Sequence, residues 1–245
     1  MFNKFLGVFK KDDRKDCTKE SHLHTHLHTD KAVTSEISSL RWAIENESQF
    51  IDNILNAYPT VFLMKHLENV RLAHILDVGS GPVSYMLNFV RRNSGRFKLT
   101  SVDALAENYA ELIKQHGYDV PRNMTCYAED LDTIFHPKTF DIIFSSNSID
   151  HTVDVTESLH KMAVILKDDG FIYVLCNINE KDRQGGEGMH SHNINLINGC
   201  LTDDGKPVYM PYLKISDFHI FTQSWTVGEK VFEAPRFEVI LRKTS

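Results

Sequence analysis

Three short stretches of the sequence hold side chains whose types and spacing could do chemistry. Ser146-Asn147-Ser148-Ile149-Asp150-His151 sets a carboxylate beside an imidazole. Imidazole titrates near neutral pH, so His151 is a candidate general base, with Asp150 orienting it or sharing a metal with it. The plainer alternative is that Asp150 and His151 cap a helix expected from about Thr156. A second stretch, Gly185 to Asn193, carries His190 and His192 with Glu187 nearby. Two imidazoles two residues apart share one side of an extended segment, as a base and its helper or as a metal pair. Recognition of substrate hydroxyls by His190, His192 and Asn193 is the favoured role, with His190 a further candidate base, and no resident metal is expected.

The third stretch is Ile75-Leu76-Asp77-Val78-Gly79-Ser80-Gly81-Pro82. An apolar strand runs into glycines that let the backbone turn and let a ligand approach the main chain, with a helix expected directly after them. A helix N-terminus there would offer free N–H groups and a partial positive charge. Asp77 beneath such a loop suits an amine-bearing or cationic ligand and would repel a pyrophosphate. A dinucleotide site would also want a third glycine near Ser84, which the sequence lacks. One strand later comes Asp103, where nucleotide-binding βαβ units place a carboxylate that accepts ribose hydroxyls. The competing role for Asp103 is to cap the helix beginning near Leu105.

The elements that must position these groups alternate. Short apolar runs at 75–78, 98–102, 124–127, 141–145 and 171–177 read as strands. Helical periods near 84–91, 106–116 and 156–166 separate them. Two further strands, 218–222 and 237–242, have no convincing helix between them, so they form an antiparallel pair. The expected architecture is α/β: a Rossmann-like, mostly parallel seven-stranded sheet with helices on both faces, closed by that C-terminal pair. Ahead of it, 35–72 reads as a helical cap. Trp42 and these helices would form a lid or an oligomer contact. Residues 1–34 read as a polar tail, 73–245 as the main domain, and 177–217 as an irregular excursion over the acceptor.

Composition narrows the partners. The chain has 245 residues and a net charge of −6, which argues against a nucleic-acid backbone as the main partner. No apolar run approaches the length needed to span a bilayer. Met1–Lys11 reads as a docked or frayed helix, the alternative being a weak amphipathic contact with a membrane surface. Cys126 and Cys176 lie in apolar strand-like runs and read as core residues of a chain in a reducing, cytoplasmic compartment. His22, His24, His26 and His28 alternate along the tail, a weak metal trap if extended and a solvated segment otherwise.

DVGSGP after a strand, with an acid ending the next strand, resembles motif I and its partner in the class I S-adenosylmethionine-dependent methyltransferases. The resemblance runs from Ile75 to Arg242 and includes DIIFSSNSIDH, LKDDGFIYVL and the final antiparallel pair. It implies S-adenosylmethionine as cofactor. Gly79, Ser80 and Gly81 would line its methionine portion, Asp77 would lie beneath the amino group, Asp103 would hold the ribose and Asn147 would join the set. The adenine position that is usually acidic is Tyr127 here. Ala128, Glu129 and Asp130 are candidates for that contact, with stacking by Tyr127 as the alternative. The polar loop around His190 to Asn198 suits a hydroxylated acceptor such as a sugar. Asp-His after the fourth strand likewise resembles sugar and glycan O-methyltransferases. Quinone-pathway enzymes carry Glu-His there, so a quinone- or phenol-like small molecule is the alternative acceptor. A catalytically silent binding subunit on the same fold is the alternative of another class.

Overall fold

In the computed structural model the described residues are 30–46, 50–186, 188–227 and 230–244. The tail histidines, the Met1–Lys11 segment, Cys17 and Glu187 lie outside them.

The chain opens with three helices, α1 (Asp30–Asn46), α2 (Phe50–Leu55) and α3 (Val61–Leu67). Thr60 caps α3 by accepting from the backbone N–H of Leu63. Strand and helix then alternate through β1 (Ala73–Val78), α4 (Leu87–Arg92), β2 (Phe97–Asp103), α5 (Ala106–Gln115), β3 (Met124–Thr125), α6 (Leu131–Ile134), β4 (Phe140–Ser146), α7 (Val155–Ile165) and β5 (Leu166–Asn177). After α8 (Glu180–Arg183) come three short strands, β6 (Ile194–Ile197), β7 (Cys200–Asp203) and β8 (Lys206–Pro207). The long pair β9 (Leu213–Val227) and β10 (Lys230–Lys243) closes the chain.

The main sheet has seven strands in the order β3-β2-β1-β4-β5-β10-β9. The first five are parallel, and β10 runs antiparallel to both β5 and β9. This is the expected architecture. Strands buried on both faces need near-continuous apolar sequence, and Ile75, Leu76, Ile143, Ile172 and Val174 are fully buried. One core cluster packs α7 and the small strands on one face; a second packs α3 and α4 on the other. The strand order reverses between β1 and β4, so the loops leaving their carboxyl ends diverge from a shared crevice.

Three local expectations change. The helix after the glycine loop does not start at once: residues 81–86 are turns, and α4 begins at Leu87. β9 and β10 are far longer than the apolar runs 218–222 and 237–242, because backbone pairing along the edge continues through polar residues. The 177–217 excursion is not irregular throughout. It folds β6, β7 and β8 into a small antiparallel sheet. Its two turns are Asn198-Gly199 and Asp204-Gly205, with all four residues at positive φ. Those dipeptides between short strands are the hairpin signal that sequence reading passed over.

Candidate active site

The loop leaving β1 is held by its own backbone. The N–H groups of Gly79 and Ser80 both donate to the carbonyl of Val102, at 3.0 and 3.1 Å. Gly79 has φ +68, and a Cβ there would lie 2.3 Å from the Cβ of Ser148, so the residue must be glycine for two reasons. Gly81 also has positive φ, but a Cβ on it would meet nothing within 4 Å. It faces open space where it lines a cavity.

Asp103 ends β2 and ties three pieces together. One carboxylate oxygen accepts from the Gly81 N–H and the other from the Leu105 N–H, each at 2.8 Å. The helix-capping role weighed against ribose binding is therefore present in part, and it fixes the carboxylate at the cavity wall. Burial raises its pKa to about 6 against the two backbone hydrogen bonds that lower it. Asp77 lies deeper. It is 1% exposed, does not line the cavity, and accepts a 2.5 Å hydrogen bond from Ser84. Burial pushes its pKa up to about 7; the Ser84 hydrogen bond opposes this and the neighbouring Asp103 adds to it. The two acids thus sit on the same side of the sheet edge.

The cavity measures about 430 Å³ and runs from these residues to the segment after β3 and the loop after β4. Helices α1 and α2 roof it through Glu36, Leu40, Ala43, Phe50 and Ile54, and Tyr109 on α5 donates to Glu36 at 3.4 Å. The helical cap thus forms part of the cavity wall. Trp42 itself is more than half exposed. Sequence periodicity announces such helices without saying what they cover, which is why Glu36 and Tyr109 were not singled out.

Ala128 and Glu129 line the same cavity, whereas Asp130 does not. Glu129 is 6% exposed. Its Oε1 accepts from the N–H groups of Val153 and Asp154, while its Oε2 is buried with no hydrogen-bond partner among the described residues. An orphaned buried carboxylate oxygen is costly unless a ligand donor completes it. Asn147, at φ 53, also reaches the cavity, its own Oδ1 held by the Asn177 N–H.

The candidate bases converge on one another. Asp150 is fully buried, and its Oδ2 lies 2.6 Å from Nδ1 of His190. Nε2 of His151 is 3.0 Å from the same His190 nitrogen but 3.7 Å from the carboxylate. The expected partnership is thereby exchanged: Asp150 orients His190, not its chain neighbour. Nor does Asp150 cap the following helix, since Asp154 does so by accepting from the Glu157 N–H. Burial lowers the His190 pKa, but the Asp150 hydrogen bond and charge outweigh it, leaving the ring more basic than usual. His151 moves the other way, lowered chiefly by burial and partly by His190, with Asp150 only partly compensating. Burial raises Asp150, and the two imidazoles bring it below the ordinary carboxylate range. The three ligand-type atoms lie within 4.8 Å of one another, so this is a place where a divalent metal could be held.

His192 and Asn193 are not brought to the cavity. His192 spends both ring nitrogens internally, on Asp203 at 2.6 Å and on the Thr152 carbonyl at 2.9 Å. Asn193 donates to Asp204 and accepts from the Asp182 N–H. His192 ties the excursion to the loop after β4 through Thr152, whereas Asn193 joins residues within the excursion itself.

Comparison with known proteins gives a family match over part of the chain: residues 76–174 fit the model of a methyltransferase domain. The sequence finds no match among curated proteins. Among solved structures, the fold is shared with a chain in a complex of the Haloferax volcanii Trm112 methyltransferase activator with a methyltransferase. The identity is 14%, the TM-score 0.50, and the match covers 75% of this chain and 79% of that one. An S-adenosylmethionine-dependent methyltransferase from Methanosarcina mazei matches with 14% identity and a TM-score of 0.49, over 76% of this chain and 97% of that one. Among the described residues no helix is long and apolar enough to cross a membrane.

Proposed function

We propose that the chain, whose residues 76–174 fit the model of a methyltransferase domain, is a class I S-adenosylmethionine-dependent methyltransferase that methylates a hydroxyl oxygen of a hydroxylated small molecule such as a sugar, with His190 as the base. The observation that carries this reading is the buried Asp150 carboxylate at 2.6 Å from His190 Nδ1, beside the cofactor cavity.

Gly81 leaves room for the methionine portion, the Asp103 carboxylate is set for the ribose hydroxyls, and the orphaned Glu129 oxygen suits the adenine amino group. Asp77 acts from below, as buried negative charge under a ligand that carries positive charge. When bound, S-adenosylmethionine supplies an electrophilic methyl group whose departing electron pair stays on sulfur. A hydroxyl oxygen gains nucleophilicity only as its proton leaves, and the protein must provide the acceptor. With the Nδ1 proton held toward Asp150, His190 keeps a free lone pair on Nε2. That nitrogen takes the hydroxyl proton, and the imidazolium formed is stabilised by the adjacent carboxylate. Residues of α1 and α2 narrow the cavity's access to solvent.

The test combines calorimetry with S-adenosylhomocysteine and a panel of sugar and phenol acceptors. The reading expects micromolar binding of S-adenosylhomocysteine that Asp103→Ala abolishes, and methyl transfer to a hydroxylated acceptor that His190→Ala removes. Intact binding with His190→Ala as active as the parent protein refutes the base; no binding refutes the enzyme.

A further inference from the structure

A second cavity, of about 460 Å³, opens beside the first, and both are lined by Tyr85, Ser146 and Asn147. It lies where β5 ends at Asn177, the register partner of Arg236 on β10. Its polar wall is formed by Arg236, Asn177, Gln223, Tyr85 and Asn147, and none of its lining side chains is a carboxylate. Nη1 of Arg236 donates to Gln223. Its Nε is buried with no hydrogen-bond partner among the described residues, and no ion pair there neutralises the guanidinium. The buried Glu180 acts on it only through space, because that carboxylate is taken by Arg183 and Gln184.

We propose that this second cavity is the acceptor subsite and that Arg236 binds an oxyanion, carboxylate or phosphate, carried by the acceptor. The inference rests on the methyltransferase reading only in calling the ligand an acceptor; the anion site stands on its own geometry. A guanidinium presents a planar fork of donors matched to an oxyanion, and leaving one of those donors buried and unused is unfavourable. Burial lowers the Arg236 pKa, as expected for a cation short of a counter-charge. Because the cavities share the β4 loop, an acceptor anchored at Arg236 extends toward the cofactor at Asn147. The pair Arg236 and Asn177 then sets which hydroxyl arrives there.

The full chain, labelled with ¹⁵N-arginine, tests this directly. The Nε–H resonance of Arg236, assigned by its loss in Arg236→Gln, is followed while methyl phosphate, acetate or chloride is added, with and without S-adenosylhomocysteine. The expected result is a saturable shift with methyl phosphate or acetate and none with chloride. The anion that responds identifies phosphate or carboxylate as the acceptor group. No saturable shift with either oxyanion, or an equal shift with chloride, overturns the proposal. Arg236→Gln should leave S-adenosylhomocysteine affinity unchanged, so failure of the cofactor to bind the parent protein counts against the methyltransferase reading and not against the anion site.

Discussion

Asp150 and His190 are 40 residues apart in sequence and 2.6 Å apart in space, and this contact inverts the acid–base pairing that the adjacent letters Asp150-His151 invite. Both side chains of the 3₁₀ turn Ile149–His151 reach the same His190 nitrogen, the Asp150 carboxylate at 2.6 Å and the His151 ring at 3.0 Å. The carboxylate therefore reaches a ring supplied by the excursion after β5.

The first consequence is kinetic. His190→Ala is expected to lower kcat by about 10²–10⁴-fold, the usual contribution of a positioned base, with S-adenosylhomocysteine affinity unchanged. Because only the neutral ring accepts a proton, kcat/KM should rise with pH through a pKa above the ordinary histidine value. Asp150→Asn removes the charge that raises it, so the inflection should move to lower pH while turnover falls. An inflection unmoved by Asp150→Asn, in steady-state pH profiles of both proteins, would dissociate Asp150 from the base.

The cofactor side titrates separately. Asp103 holds Gly81 and Leu105 and has its pKa raised to about 6. A carboxylate that accepts ribose hydroxyls must be ionised, so affinity for S-adenosylhomocysteine should weaken as pH falls through 6. Binding near that pH should also release protons. Calorimetry in buffers of different ionisation enthalpy reads both. Affinity flat from pH 5 to 8 would separate Asp103 from the ligand.

How much of this was legible beforehand depended on the range of the interaction. The sheet, the Gly79–Gly81 turn and Asp103 are written locally, as apolar runs ending in glycine or acid, and sequence reading finds them. Asp150, His151 and His190 could be named from their chemistry, but which imidazole the acid meets is decided by how the excursion folds back. That in turn depends on the Asn198-Gly199 hairpin and on the staples at His192 and Asn193. Both staples have the composition of ligand-binding residues, and only their internal partners show otherwise. Arg236 carries no local signal at all. It is one of several charged residues along β10, and only the register that sets it opposite Asn177 distinguishes it.

The two loop glycines should separate folding from binding. In Gly79→Ala the new methyl collides with Ser148 and the backbone is held at φ +68, so a loss of about 2–4 kcal/mol in stability is expected from clash and left-handed strain together. Gly81→Ala carries the strain alone, about 1–2 kcal/mol, and its methyl projects into the cavity. It should fold and bind S-adenosylhomocysteine poorly. Urea melts paired with calorimetry check the contrast, and equal stability losses in the two variants would contradict it.

The cluster of Asp150, His151 and His190 makes metal content worth measuring. If the hydrogen-bonded arrangement is the working one, dialysis against a chelator should leave methyl transfer unchanged. Elemental analysis should then find no stoichiometric divalent metal. Loss of activity restored by one metal would reassign these three residues from proton transfer to ligation.

Asp77 is buried, and its burial together with the neighbouring Asp103 disfavours its charged form. Its pKa is about 7 in the folded chain against 3.8 for the free side chain, so the folded state binds the proton more tightly than the unfolded state. Its stabilising contribution is full below pH 3.8 and is lost as pH rises through 7. Asp77→Asn keeps an oxygen for Ser84 and cannot ionise. The apo variant should therefore melt at higher temperature than the parent at pH 8, by several degrees at about 2–4 °C per kcal/mol for a chain of this size, and gain nothing at pH 4. With cofactor present the order should reverse at pH 8, because the negative charge that weakens the empty site is what a positively charged ligand offsets. Thermal melts at both pH values, with and without S-adenosylmethionine, decide it. A variant less stable than the parent in the apo state at pH 8 would mean that Asp77 already has its counter-charge and serves the fold instead of the ligand.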